Sequence, residues 1–152
     1  MDKLITTVPG RMTALRAFIE MDSAGLSAVG ITDEAGALVA TVTVRDFCDA
    51  LAAQRIDGAP SLALLALPVL VWVTLLRGCR LPRIISCLPT DTLGDVLRIM
   101  TGSGIHHVFV TAGAAALPCG VITPSDVIRL FQVDRTGAHP APPAPEVTGA
   151  PA

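Results

Sequence analysis

Two short stretches of the sequence place a hydroxyl and a carboxylate three residues apart. The first, Val42–Phe47, reads Val-Thr-Val-Arg-Asp-Phe, and the second, Ile122–Val127, reads Ile-Thr-Pro-Ser-Asp-Val. Their threonines, Thr43 and Thr123, are 80 positions apart, and each motif follows an apolar run and precedes a helix-like stretch. Where a strand meets a helix, such groups can hold the hydroxyls of a ribose while the helix N-terminus receives a phosphate.

The same pattern, T-x-x-D, also has a purely structural interpretation. A threonine at a helix N-cap accepts a hydrogen bond from the amide three residues on, and an acid at that position can bond back to the cap. Capping and ligand binding use the same free amides at the helix start, so the two roles are compatible. The repetition of the whole sequence context, rather than the tetrapeptide, favours a ligand site.

The repeat extends well beyond the two motifs. In each half, the spacing of apolar residues predicts a strand, a helix, two strands and a final helix. The first half has Leu4–Val8, Thr13–Ser23, Leu26–Thr32, Ala37–Val42 and Val44–Ala53, and the second half has Ile84–Leu88, Thr92–Ser103, Ile105–Thr111, Cys119–Ile122 and Pro124–Val133. A β-α-β-β-α unit this small does not bury both faces of its helices alone. The sequence therefore predicts an α/β fold in which repeats 3–56 and 83–133 pack about an approximate two-fold.

An uncharged segment joins the halves. Residues 58–76 carry no charge, and residues 57–82 are interpreted as an apolar linker helix. Proline suits the first turn of a helix, so we expect the helix to span Pro68 to Arg77, buried between the halves or at a dimer contact. A membrane span needs about 20 mostly apolar residues, and the central proline argues against one here. Trp72 is expected to anchor a core or an interface.

Composition suits one core and argues against several functions. The chain has 152 residues, of which 51% are hydrophobic, enough for a core of this size. The net charge is −2 and no basic run occurs, so no nucleic-acid partner is expected. The four cysteines lack C-x-x-C spacing, so we expect buried thiols in a reducing compartment and no metal site. They are Cys48, Cys79, Cys87 and Cys119.

Motifs for catalysis or targeting are missing from the sequence. It contains no G-x-S-x-G, H-E-x-x-H or P-loop pattern, so no catalytic residues and no enzymatic activity are predicted. Residues 1–3 lead directly into a strand and do not resemble a signal peptide, which favours the cytoplasm and leaves the nucleus open. Residues 134–152 are rich in proline and alanine and are expected to form a disordered tail.

The residues resemble a known family. The order of elements, the two T-x-x-D motifs and Gly104–Val110 (Gly-Ile-His-His-Val-Phe-Val) resemble a tandem pair of cystathionine-β-synthase (CBS) domains, the Bateman module. Within this family, the residues look most like the γ subunit of AMP-activated (sucrose-non-fermenting) protein kinase. Pro89–Met100 resembles the first helix of such a domain, and Gly120–Asp126 resembles its nucleotide motif. Gly25–Val29 resembles the Ser-Ala variant of γ subunits, and the likeness covers about residues 3–133.

This resemblance implies a non-catalytic regulatory module that binds AMP, ADP or ATP between its two repeats, without a cofactor. The implied nucleotide-binding residues lie in the two motifs and in a histidine pair: Thr43, Asp46, His106, His107, Thr123, Ser125 and Asp126. The aspartates would accept hydrogen bonds from the ribose hydroxyls. The threonine and serine side chains would line the part of the pocket that holds the ribose and the phosphate. His106 falls where γ subunits contact phosphate, and His107 replaces their usual arginine. Adjacent strand residues face opposite sides, so at most one histidine should face a given pocket.

A γ subunit has four such domains, whereas this chain has two. The resemblance therefore implies a homodimer or capture by a larger protein, such as a kinase complex. Two other functions stay open. The chain could be a purely structural dimerisation or interaction module in which the T-x-x-D pairs only cap helices, or the cytoplasmic regulatory part of a transporter or channel.

Overall fold

The computed structural model describes residues 7–80 and 84–133, and both halves have the predicted order of elements. The first half comprises β1 (Thr7–Pro9), α1 (Ala14–Ser23), β2 (Ala28–Thr32), β3 (Leu38–Thr43) and α2 (Val44–Ala53). The second half comprises β6 (Ser86–Cys87), α4 (Leu93–Ser103), β7 (Val108–Ala112), β8 (Leu117–Ile122) and α5 (Pro124–Val133). The predicted mixed α/β fold of two β-α-β-β-α units is confirmed. Part of the predicted first strand, residues 4–6, and the predicted tail, residues 134–152, lie outside the described residues.

Each half builds a three-stranded sheet with the same topology. β1 runs parallel to β2 and β2 antiparallel to β3, while β6 runs parallel to β7 and β7 antiparallel to β8. The register shifts between Ile31 and Thr32 in the first sheet and between Val110 and Thr111 in the second. A bulge at equivalent positions of both sheets supports an internal repeat, because bulges are specific features of a strand pair.

Between the halves, the linker forms several short elements. A hairpin, β4 (Arg55–Ile56) and β5 (Ala59–Pro60), is followed by a 3₁₀ helix at Ala63–Ala66 and by α3 (Val69–Leu76). The predicted helix is therefore present, with Pro68 as its N-cap, but it occupies only the second part of the 57–82 segment. Within residues 7–80 and 84–133, no helix is long and apolar enough to cross a membrane.

The linker helix supplies the centre of the first core. Val69, Trp72 and Val73 of α3 are fully buried. The rings of Trp72 and Phe18 of α1 form a T-shaped pair with centroids 5.3 Å apart, and Phe18 and Phe47 of α2 form a tilted pair at 4.7 Å. Aromatic pairs at such distances add to the stability gained by burial. The prediction that Trp72 is a core anchor is confirmed.

The expectation of buried thiols is wrong for three of the four cysteines. Cys48, Cys79 and Cys119 are exposed, and only Cys87 is buried, in strand β6. All four are free, and the described part of the chain contains no cluster of three or more potential metal ligands. Burial, the largest cause, raises the pKa of the Cys87 thiol, with Asp91 adding to it. Local sequence does not decide which face of an element is covered, and this explains the difference.

Candidate functional site

The first T-x-x-D motif caps helix α2. Asp46 Oδ2 accepts the backbone N–H and the hydroxyl of Thr43, both at 2.8 Å, and the Asp46 N–H donates back to Thr43 Oγ1 at 3.2 Å. The structural interpretation of this motif is therefore realised as a complete capping box. Asp46 replaces the more usual Glu or Gln. It lies in the first turn, where a negative charge interacts favourably with the helix dipole.

The second motif repeats the two bonds from threonine to aspartate at the start of α5. Asp126 Oδ2 accepts the Thr123 N–H at 2.9 Å and the Thr123 hydroxyl at 2.7 Å. Pro124 occupies the first helical position, where its missing N–H costs nothing and its backbone angle already suits a helix. Both predicted motifs thus mark helix N-termini, as the sequence indicated.

A third T-x-x-D motif escaped sequence reasoning, although its signal is plain in the chain. Thr92-Leu-Gly-Asp95 caps α4, and Thr92 donates its hydroxyl to Asp95 Oδ2 at 2.6 Å. The hydrogen bonds from the Thr92 side chain and backbone hold the pKa of Asp95 below its ordinary value. This cap is exposed and lines no pocket between the halves. A capping box alone therefore does not identify a ligand site. The caps at Thr43 and Thr123 differ from this one because they lie in pockets between the halves.

Two pockets lie where the halves meet. The first pocket has a volume of about 390 Å³ and the second about 400 Å³. The first is lined by Ser27, Ala28, Thr41, Thr43, Val44, Arg45, Arg77, Ile85, Gly104, Ile105, His106 and His107. The second is lined by Gly25, Leu26, Ser27, Ala28, His106, His107, Val121, Thr123, Pro124, Ser125, Asp126 and Arg129. Each pocket therefore combines the start of one helix, α2 or α5, with loop residues of both halves.

The histidine pair lies on a wall that both pockets share. His106 and His107 line both pockets together with Ser27 and Ala28. The expectation that at most one histidine faces a given pocket is wrong, because strand β7 begins only at Val108. Both histidines precede the strand, so the alternation of strand side chains does not apply to them. His107 Nε2 lies 3.0 Å from Ser27 Oγ, which joins the two halves.

Most of the predicted binding residues come together, with one exception. Thr43 lies in the first pocket, and Thr123, Ser125 and Asp126 lie in the second. Asp46 is not among the residues that line the first pocket. Its carboxylate instead pairs with Arg77, whose Nη2 lies 3.1 Å from Oδ1 and 3.3 Å from Oδ2.

Arg77 is a pocket residue that sequence reasoning missed. It terminates the linker helix as the C-cap of α3 and lines the first pocket. The available signal was its position as the first charged residue after the uncharged run 58–76. Arg45, on α2, is the second arginine of this pocket, and none of the described residues that line it is acidic. The first pocket is thus basic, whereas the second contains both Asp126 and Arg129, 3.9 Å apart.

Comparisons with known proteins agree with this geometry. Residues 80–133 match the CBS domain family. The CBS-domain containing protein ATU1752 from Agrobacterium tumefaciens is 26% identical, with a TM-score of 0.64 over 84% of each chain. The CBS domain pair of protein MJ0100, in complex with 5′-methylthioadenosine and S-adenosyl-L-methionine, is 19% identical, with a TM-score of 0.65 over 88% of this chain and 93% of that one. A search among curated proteins finds no match to the sequence.

A longer structure shares the fold as well. Protein MJ1225 from Methanocaldococcus jannaschii, described as a candidate archaeal homologue of the kinase γ subunit, has a TM-score of 0.70 at 16% identity. The similarity covers 88% of this chain but 48% of MJ1225, so this chain spans about half its length. At this identity the likeness shows the fold of a CBS-domain pair.

Proposed function

We propose that this chain is a non-catalytic regulatory module that binds an adenine nucleotide between its repeats. The proposal starts from the fold of a CBS-domain pair and from the match of residues 80–133 to the CBS domain family. One observation carries the proposal. Two pockets of nearly equal volume lie at the junction of the repeats, and each joins a capped helix start to the shared histidine pair. Volumes of 390 and 400 Å³ fall within the range of about 300–1,000 Å³ that is typical of small-ligand sites.

The chemistry of the pockets suits a phosphorylated nucleoside. Helix N-termini present amide N–H groups and the positive end of a dipole, which favours phosphate. The imidazoles of His106 and His107 add donors next to the same space. A carboxylate has about four acceptor positions, so Asp126 is able to cap α5 and accept a ribose hydroxyl at the same time.

The structural neighbours support the adenosine part of the proposal. The MJ0100 pair carries two ligands that both contain adenosine, and the likeness to MJ1225 supports energy sensing of the γ-subunit kind. The free thiols suit a reducing compartment, which supports a cytoplasmic location. In this proposal AMP, ADP or ATP is the ligand, and binding tightens the packing of the two repeats for a partner to detect.

Exposed apolar side chains support a partner and keep an interaction function as the second candidate. On α5, Ile128 is 57% exposed, Leu130 56% and Phe131 67%, which is unusual for side chains of this size on one helix. Leu93 and Leu97 of α4 are also exposed. Such a surface supports a homodimer or docking to a larger subunit such as a kinase. A module that served only this purpose would use its T-x-x-D pairs purely as caps.

Calorimetric titration of AMP, ADP, ATP and S-adenosylmethionine distinguishes the two candidates. We expect Asp126→Ala to weaken nucleotide binding by about ten- to a hundredfold, because a charged acceptor of ribose hydroxyls is lost. Asp95→Ala is the matched control, because it removes the acid of an equivalent capping box outside both pockets. It should leave binding unchanged. Asp46→Ala should cost less binding than Asp126→Ala, since the carboxylate of Asp46 is already paired with Arg77.

Circular dichroism of each variant shows whether the fold is intact. If Asp126→Ala binds every nucleotide as the wild type does while the fold is intact, the second motif is only a cap. The nucleotide function would then be abandoned in favour of the interaction module.

A further inference from the structure

Arg77 connects the linker helix to the first motif. Its backbone N–H donates to Val73 O at 3.2 Å, which seats it at the C-terminus of α3, where a positive charge is favourable. Its side chain reaches across 31 positions of sequence to Asp46, at 3.1 Å, and to the carbonyl oxygen of Thr41, at 3.4 Å. The side chains of Arg77 and Asp46 are 32% and 14% exposed, so this ion pair is partly shielded from water.

This ion pair involves both carboxylate oxygens of Asp46. Oδ2 accepts two hydrogen bonds from Thr43 and lies 3.3 Å from Arg77, and Oδ1 accepts from Arg77. A ribose hydroxyl that takes the place of Arg77 on Asp46 displaces the guanidinium. The exchange replaces a charge-assisted hydrogen bond by one with a neutral donor, which is the weaker of the two.

Among the described residues that line the first pocket, none offers the displaced guanidinium another anion. The other ionisable side chains that line the first pocket are Arg45, His106 and His107, and the described residues that line it include no acid. Arg45 itself pairs with Asp49, at 3.9 Å and on the exposed side of α2. A partly buried arginine without a counter-ion is costly. A phosphate on the ligand is able to supply the missing negative charge.

We propose that Arg77 makes the first pocket selective for phosphorylated adenine nucleotides over uncharged or cationic adenosine derivatives. This inference rests on the proposed function and assigns a ligand class to one of its two pockets. In the structure Arg77 pairs with Asp46; with a nucleotide bound, the phosphate takes the guanidinium and Asp46 turns to the ribose. At the second motif, the described ion pair joins Asp126 to Arg129, at 3.9 Å and with the arginine side chain 73% exposed.

The test compares AMP with adenosine, which differ only in the phosphate. Calorimetric titrations are made in an Asp126→Ala background, so that the first pocket gives most of the signal. We expect Arg77→Gln to lower the ratio of AMP affinity to adenosine affinity by about tenfold, and Arg77→Lys, which keeps the charge but not the planar fork, to restore part of it. Arg98→Gln is the matched control, because Arg98 pairs with Asp95 of a T-x-x-D cap at the same 3.1 Å but lines neither pocket. An unchanged ratio in Arg77→Gln, with nucleotide still bound, overturns the role of Arg77 and leaves the proposed function standing.

A second measurement separates this inference from the proposed function. Inorganic pyrophosphate is added to the wild-type chain and to Arg77→Gln, both with Asp126 intact, and the melting temperature of each protein is measured. We expect pyrophosphate to raise the melting temperature of the wild type and to raise that of Arg77→Gln clearly less. If no adenine compound binds but this difference is seen, the proposed function fails and the anion site at Arg77 stands. Equal shifts, or no shift in either protein, overturn the inference.

Discussion

The hydroxyl oxygen of Ser27 lies 3.0 Å from Nε2 of His107, and this contact crosses from the first repeat to the second at the wall that both pockets share. Either partner is able to donate, depending on which imidazole nitrogen carries the proton. The two residues occupy nearly corresponding places in the repeats, just before strands β2 and β7. The junction of the repeats and the walls of the pockets are therefore the same piece of structure.

Ser27→Ala should separate the effect of this contact on binding from its effect on stability. The bond is exposed, so its loss should cost less than about 1 kcal/mol of unfolding free energy. Because His107 loses a partner that orients it, nucleotide binding should weaken more clearly than stability does. Urea denaturation and calorimetric titration give the two quantities. Ser23→Ala, which removes an exposed bond to Ile19 O on α1, is the control and should leave binding unchanged.

Gly30→Ala should destabilise the packing between the repeats. A Cβ at this position of β2 would lie 2.6 Å from Leu38 Cδ1 and 3.1 Å from Phe109 Cε1 of the second repeat. Overpacking of this kind costs about 1–3 kcal/mol, and thermal and urea denaturation measure it. Gly102→Ala is the control, because its Cβ would meet nothing within 4 Å and alanine favours a helix. Equal stability of the two variants would contradict the close contact at Gly30.

Two substitutions of Trp72 should differ sharply in cost. The ring is fully buried against Phe18, so Trp72→Ala leaves a cavity and should cost about 3–5 kcal/mol. The indole N–H is buried, and no described residue accepts its hydrogen. Trp72→Phe keeps an aromatic ring and removes this unpaired donor, so its cost should be much smaller. Urea denaturation with a common slope compares them, and similar costs would show that the N–H finds a partner in solution.

Cys87 should make stability fall at alkaline pH. Burial holds the thiol pKa in the folded chain above its ordinary value of 9.0, so the unfolded chain loses this proton first as the pH rises. The stabilisation is fully present below pH 9.0 and is lost between that value and the raised pKa of the folded state. The unfolding free energy of the wild type should therefore fall more steeply from pH 8 to pH 10 than that of Cys87→Ala.

Alkylation of the cysteines provides an independent check. The thiolate is the reactive form, and Cys87 is both buried and kept protonated. Iodoacetamide should label Cys48, Cys79 and Cys119 in the native protein and label Cys87 only after unfolding. The burial of this thiol would be refuted by two results together. The unfolding free energies of the wild type and Cys87→Ala would fall equally with pH, and Cys87 would be labelled rapidly in the native protein.

The sequence by itself determined the repeat, the order of its elements and the ends that local chemistry marks. Helices α2 and α5 begin and end where they were predicted, because a T-x-x-D cap or a proline specifies a helix start through contacts within four residues. For the same reason the linker helix starts directly after Pro68. The motifs Thr43–Asp46 and Thr123–Asp126 were recognisable because both of their roles, capping and anion binding, depend on the same local geometry.

Tertiary structure decided which of these groups meet. Asp46 pairs with Arg77, 31 positions away, and Ser27 with His107, 80 positions away, and no local pattern predicts either contact. Both contacts follow from the packing of the repeats and the linker helix. That packing depends on how the side chains of the whole core fit together. The same packing exposes Cys48 and buries Cys87, and it leaves the third cap at Thr92 outside the pockets. A hydrogen-bonding motif is specified by neighbours in sequence, whereas a pocket is specified by neighbours in space.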